Sequence, residues 1–222
     1  MLSRLLSGNI DIIEVLVYVL SSLAVIFLTL PIHEFAHAFV ADKLGDPTPR
    51  YQRRLTLNPM AHIDYFGALC VLLFGFGWAK PVQVNAYNFK KPKFGMAMVA
   101  LAGPISNLIL AFLSLACCKV IDTVVPINPF ILGIPEYLYM FFAGIAQINV
   151  YLAVFNLIPV PPLDGSRILG IILPSKTYFK IMQYERYIYY GLMLLLFTDV
   201  LDIPLFYASQ SVLGLFSNIL GL

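Results

Sequence analysis

An apolar run from Ile12 to Val40, with Glu14 at its mouth, carries three strongly polar side chains deep inside it, His33, Glu34 and His37. That combination leaves few folds open. The run exceeds the roughly 20 residues needed to cross a bilayer. Backbone in lipid must satisfy its own hydrogen bonds, so the run predicts a first spanning helix. Pro31 removes one backbone donor and predicts a kink just before the polar group. An ionisable side chain at membrane depth costs at least about 2.5–3.5 kcal/mol on insertion scales, so it reads as functional.

The spacing says what the function is. Helical residues four apart share a face, so His33 and His37 aim two imidazole nitrogens at one point. Two neutral imidazoles make half of a tetrahedral zinc site. Glu34 completes the pattern H-E-x-x-H and reaches a water on the same metal. Zinc lowers the pKa of such a water to about 7, which makes Glu34 the candidate general base. Of three histidines in the chain, two fall in this pattern with Glu in its slot. That argues against a chance match.

Composition sets the class. The chain has 222 residues, 60% of them hydrophobic and 12% charged; soluble domains carry roughly 25% charged residues. The reading is an all-α polytopic membrane protein, a bundle of about five to six membrane helices. A short re-entrant or surface segment and a small β-sheet near the membrane surface complete it. One membrane-embedded domain fills residues 1–222, with a catalytic core over about 12–175 and packing helices over about 176–222. The lipid bilayer is the expected environment, and nothing points to nucleic acid. Cys70, Cys117 and Cys118 lack C-x-x-C spacing and receive no metal or redox role.

After Val40 the character changes. Gly45, Pro47 and Pro49 break helix, and Asp42, Lys43, Asp46, Arg50, Arg53 and Arg54 are exposed types. Arg54–Leu57 alternates like a short strand, and so does Pro81–Asn85; the two are expected to pair. Tyr65–Trp78 lies between them. As a helix it covers about 21 Å, short of the roughly 30 Å core, so it reads as re-entrant or surface-lying. A second full helix runs from Phe94 to about Val120 and carries Gly103-Pro104-Ile105-Ser106-Asn107. Gly103 allows close approach of another backbone. Asn107, polar at depth, reads either as interhelical glue or as a substrate-binding group near the site.

A third helix, about Glu136–Leu157, ends in Asn156-Leu157-Ile158-Pro159-Val160-Pro161-Pro162-Leu163-Asp164-Gly165. The prolines forbid further helix, and irregular backbone at depth is tolerated only inside protein or along a wet cavity. Asp164 is thus an acid held on a stiff segment, either a third metal ligand or an N-cap of the next helix. The extended metzincin pattern fails, because Val40 and Lys43 stand where Gly and His are needed. Charge placement supports Asp164. With 41–93 and 160–186 on one side, nearly every Lys and Arg lies there, which makes that side cytoplasmic. His33, His37 and Asp164 then fall at the cytoplasmic ends of helices running the same way.

These three motifs in order resemble the site-2 protease family of intramembrane zinc metalloproteases, in its compact bacterial or archaeal branch without a PDZ or CBS domain. Arg54-Leu55-Thr56-Leu57-Asn58-Pro59, His62-Ile63-Asp64 and Gly77-Trp78-Ala79-Lys80-Pro81-Val82 add to the resemblance, which covers about residues 20–175. Tyr65 departs from it, standing where Pro is expected. The resemblance implies one Zn2+ per chain on His33, His37 and Asp164, with Glu34 activating water. It also implies that Asn156 sits near the reacting carbonyl and stabilises the oxyanion. The expected reaction is hydrolysis of a peptide bond within or near a membrane helix of a substrate protein. Val82 and Val84 offer a strand-like edge for the opened substrate. The expected location is the cell membrane, multi-pass, with the site toward the cytoplasm; a homo-oligomer is left open. The competing classes are a polytopic transporter and a non-hydrolytic, metal-containing client-binding protein. His62 reads as an anchor of the surface loop, with a fourth-ligand or inhibitory role as the alternative.

Overall fold

The computed structural model describes residues 12–74, 78–125, 133–196, 198 and 200–222. Helix α1 (Ile12–Ala24) runs through a π-helical turn (Val25–Thr29) into α2 (Leu30–Lys43). Pro31 has no N–H to offer the preceding turn and its ring crowds that turn. What precedes Pro31 is this wider turn. Short helices α3 (Thr48–Tyr51) and α4 (Pro59–His62) follow, then α5 (Tyr65–Phe74). Next come α6 (Pro92–Val124), α7 (Ile134–Asn156), α8 (Asp164–Ile172), α9 (Ser175–Gln183), α10 (Glu185–Leu196) and α11 (Asp202–Leu220).

Helix α6 is the hub: it packs against α2, α7 and α8, while α1 and α11 pack on α7. Its buried face is built from small residues, Gly95, Ala97, Ala100, Gly103 and Ala111. Small residues let helix backbones approach closely where lipid gives no hydrophobic drive. Its other face turns Ile105, Ile109 and Leu113 outward, an apolar stripe at helical spacing suited to lipid. Among the described residues, four helical stretches are long and apolar enough to cross a membrane: Val15–Lys43, Pro92–Val124, Ile134–Asn156 and Asp202–Leu220. The expected further span over Tyr187–Leu201 includes residues 197 and 199, outside the described set. The expected Tyr65–Trp78 segment likewise includes 75–77; its described part, α5, has 10 residues.

The expected β-sheet is a correction. No strand forms among the described residues. Residues 79–85 form no regular element, and their backbone donors go elsewhere. Lys80 N–H bonds to the His62 carbonyl at 2.7 Å, Val82 N–H to the Glu34 carboxylate at 2.9 Å, and Asn85 N–H to the Asp46 carboxylate at 2.7 Å. Partners drawn from side chains and loops leave a strap laid across the end of α2, not a ladder. Arg54–Leu57 does not pair with it either. Arg54 N–H closes a turn onto the Pro49 carbonyl at 2.8 Å, after Arg53 at a φ of 57°.

Candidate metal centre

Three elements bring the centre together. His33, Glu34 and His37 are all buried on α2. The Nε2 atoms of His33 and His37 lie 3.0 Å apart. Asp164, the first residue of α8, places Oδ2 3.4 Å from each of them. Three corners of a tetrahedron with zinc bonds of about 2.0–2.1 Å stand about 3.3 Å apart. The observed triangle matches that edge length. Among the described residues these three form a cluster whose ligand atoms are close enough to hold a metal ion.

The surroundings fit a metal as well. A Cβ on Gly103 of α6 would run into the Nε2 atoms of both imidazoles. Glycine there lets α6 approach while leaving the ligand atoms free. His37 Nδ1 lies 2.7 Å from the Val99 carbonyl and donates to it, so in the neutral ring Nε2 is the nitrogen left to take a metal. Asp164 is not the N-cap that the alternative reading allowed. Leu163 holds that position in extended conformation, and Asp164 begins the helix itself. The turn before it is tight: Val160 N–H bonds to the Ile158 carbonyl at 2.8 Å and Leu163 N–H to the Val160 carbonyl at 2.9 Å. A Cβ on Gly165 would meet the carbonyls of Leu157 and Ile158. Proline-rich sequence and glycine together fold α8 back over the end of α7 and aim the carboxylate at α2.

A cavity of about 270 Å³ opens beside the centre, bordered by His33, Glu34, Asn107, Asn156 and Asp164. Glu34 Oε2 accepts the Val82 N–H at 2.9 Å, which fixes the carboxylate at the cavity edge. Asn156 reaches the cavity from the end of α7 and donates Nδ2 to the Leu152 carbonyl at 3.0 Å. Asn107 borders it from α6, fully buried. Val84 lies further along the strap and packs on the cluster of Ala41, Phe89 and Val99. His62 stands outside the metal cluster. It is buried, its Nε2 lies 2.8 Å from the Thr56 carbonyl, and its own carbonyl takes the Lys80 N–H. These contacts tie it to the loop on either side.

One participant escapes the sequence reading, and another, Asp46, is expected there to be exposed but is buried, because four hydrogen-bond donors converge on its carboxylate. The Val99 carbonyl orients His37, and its only trace is a position four before Gly103 on the same helix face. Asp46 fixes the strap: fully buried, it accepts from Thr48 N–H and Oγ1, Asn85 N–H and Asn88 Nδ2. Burial pushes its carboxyl up, but the hydrogen bonds outweigh burial and hold it below the ordinary carboxylate range. Its place between Gly45 and Pro47 is the cue that marks a loop-fixing acid.

Comparison with known proteins agrees with this geometry. The family model described as Peptidase family M50 matches residues 21–198. The chain is 40% identical over 214 residues to "Putative zinc metalloprotease YwhC" of Bacillus subtilis (strain 168), covering 92% of this chain and 96% of that protein. It is 30% identical to "Putative zinc metalloprotease Rip2" of Mycolicibacterium smegmatis, over 79% of this chain and 66% of that one. It is 29% identical to "Zinc metalloprotease MJ0392" of Methanocaldococcus jannaschii, over 68% of this chain and 34% of that one. No solved structure matches the chain. A multi-pass helical protein with this triangle of ligands, matched over most of its length, belongs to peptidase family M50.

Proposed function

We propose that this chain is an intramembrane zinc metalloprotease, which hydrolyses a peptide bond within or next to a membrane helix of a substrate protein. The observation that carries the reading is the convergence of His33, His37 and Asp164 beside Glu34, at the edge of a cavity inside a membrane bundle. One Zn2+ per chain would be held by the two Nε2 atoms and the Asp164 carboxylate. Bound there, zinc supplies Lewis acidity and a water that deprotonates near neutral pH. The remaining chemistry falls to the chain's own groups. Glu34 keeps Oε2 on the Val82 N–H, so Oε1 is the oxygen that takes the proton of the attacking water and returns it to the leaving amine. Asn156 has a second N–H beyond the one given to Leu152, and it serves the carbonyl oxygen as negative charge develops. The strap reaches the cavity at Ala79 and Pro81, and the backbone groups of Val82 to Val84 that Glu34 does not hold would pair with an opened substrate backbone.

Lys and Arg placement supports an orientation in the cell membrane with the centre toward the cytoplasm. The domain reading supported by packing is one membrane-embedded unit, its catalytic core within about residues 12–175, with α10 as a further membrane-embedded segment. The deciding experiment compares cleavage of candidate membrane proteins in cells by the natural chain and by Glu34→Gln. Glu34→Gln is expected to keep zinc and to lose about 10²–10⁴-fold in turnover. Normal turnover in that variant would remove Glu34 as the base.

A further inference from the structure

A metal-ligating imidazole gives one ring nitrogen to the metal and donates its other N–H to an oxygen, which fixes tautomer and ring orientation. His37 follows this rule through the Val99 carbonyl at 2.7 Å. His33 does not. Its Nε2 faces the same centre, 3.4 Å from Asp164 Oδ2, yet its Nδ1 is buried without a partner. With Nε2 reserved for the metal, Nδ1 carries the proton. A buried N–H is left unpaired beside the cavity.

Asn107 is in the complementary condition. It is fully buried, and neither Oδ1 nor Nδ2 has a partner. An unsatisfied buried polar group costs about 1–3 kcal/mol, a cost that a leucine of similar size would avoid. The helix register relates the two. On α6, Val99, Gly103 and Asn107 stand four apart and share a face. Val99 meets His37, and Gly103 abuts both imidazoles. Stepping up α6 therefore steps down α2, from His37 toward His33. The next position on that face is Asn107, which borders the cavity together with Leu30 and His33.

The geometry points to Asn107 as the positioning residue of His33. Its Oδ1 is the acceptor at hand for the His33 Nδ1–H; the two are unpaired in this structure, and a small side-chain shift closes the bond, as the Val99 carbonyl accepts from His37. One face of α6 thereby orients both histidines, by a backbone oxygen for one and a side-chain oxygen for the other. This rests on the zinc protease reading above.

The test is a zinc titration of the purified full chain in detergent against a competing chelator, with thermal melts of the metal-free form alongside. Asn107→Ala and Asn107→Leu are expected to lower zinc affinity about 10–100-fold, the usual effect of losing an outer partner of a ligand. Asn107→Asp keeps an acceptor in place and is expected to retain most of the affinity. Metal-free Asn107→Leu is expected to melt no lower than the natural chain, because it removes an orphaned amide. Natural zinc affinity in both Asn107→Ala and Asn107→Leu would overturn the assignment; a raised KM in those variants would then place Asn107 on the substrate. A metal-free Asn107→Leu that melts lower would also overturn it, as interhelical glue would behave that way. A natural chain that takes up no zinc would sink the protease reading itself, so the two failures are distinguishable.

Discussion

Gly103 shows how little room the centre leaves at the scale of one residue. Alanine in mid-helix is about 1 kcal/mol better than glycine. Here the added methyl would meet the ligand atoms of His33 and His37, and overpacking costs about 1–3 kcal/mol. The clash wins because both imidazoles are confined by the centre. Gly103→Ala is expected to lower zinc affinity roughly 10- to 100-fold, each 1.4 kcal/mol being about tenfold. Chelator competition in detergent measures it, and unchanged affinity would show that the imidazoles move aside freely. Residues of this kind differ in how legible they are. His33, Glu34 and His37 are read from spacing, because helical geometry alone converts four residues into one face. Asp164 is read from the prolines before it, which tie an acid to stiff backbone. The Val99 carbonyl is illegible, since a backbone oxygen leaves no mark on residue type. Asn107 is legible as a polar residue at depth but not as the partner of a particular ring.

The strap over residues 79–85 is the element that joins loop chemistry to the base. It is pinned at Lys80 by the His62 carbonyl, at Asn85 by Asp46, and between them at Val82 by Glu34. Alternation reports which side chains share a face and says nothing about which groups receive the backbone donors, so the expected sheet was not legible. Asp46 gives this element a pH signature. Its carboxyl lies below the ordinary range in the folded chain. Its contribution to stability is thus fully present above its unfolded pKa of about 3.9 and is lost as pH falls through the lower folded value. The melting temperature in detergent is expected to fall as pH drops below about 4. Asp46→Asn is expected to melt lower at pH near neutral and to show a flatter dependence in that acid window. Asp42, held low by the neighbouring Arg50 guanidinium, adds to the same slope, but an exposed pair of this kind contributes little. An Asp46→Asn chain with the natural acid slope would remove Asp46 as the clamp.

At the scale of the whole molecule, the bundle must open one helix inside another's solvent. A spanning substrate hides its carbonyls in its own hydrogen bonds. Hydrolysis needs an exposed carbonyl on extended chain, and the cavity between α2, α6 and the end of α7 has polar groups on one side to receive it. Opening is cheaper where the substrate carries Gly or Pro, about 1 and 3 kcal/mol worse than Ala in a helix. Replacing such residues by Leu near the cleaved bond is expected to slow cleavage and to leave binding largely intact. A uniform poly-Leu span cut as fast as the natural one would show that opening does not limit the rate. The class of the molecule was legible from its apolar runs. Its count of full spans was less so: four helical stretches among the described residues are long and apolar enough to cross, and α10, at 12 residues, is not one of them.

The π-helical turn at Val25–Thr29 absorbs a residue without disturbing either end of one long helix. Such a turn holds one residue more than regular winding needs. Removing that residue lets the segment close into regular helix while α1 and the histidines keep their relative phase; taken from regular winding instead, one residue would rotate the preceding helix by about 100°. Deletion of Ile26 is therefore expected to keep zinc uptake, and loss of uptake in the deleted chain would show that the wide turn itself is required. In evolutionary terms the turn behaves as a one-residue insertion, which allows a packing seam and a catalytic seam on the same helix to diverge independently.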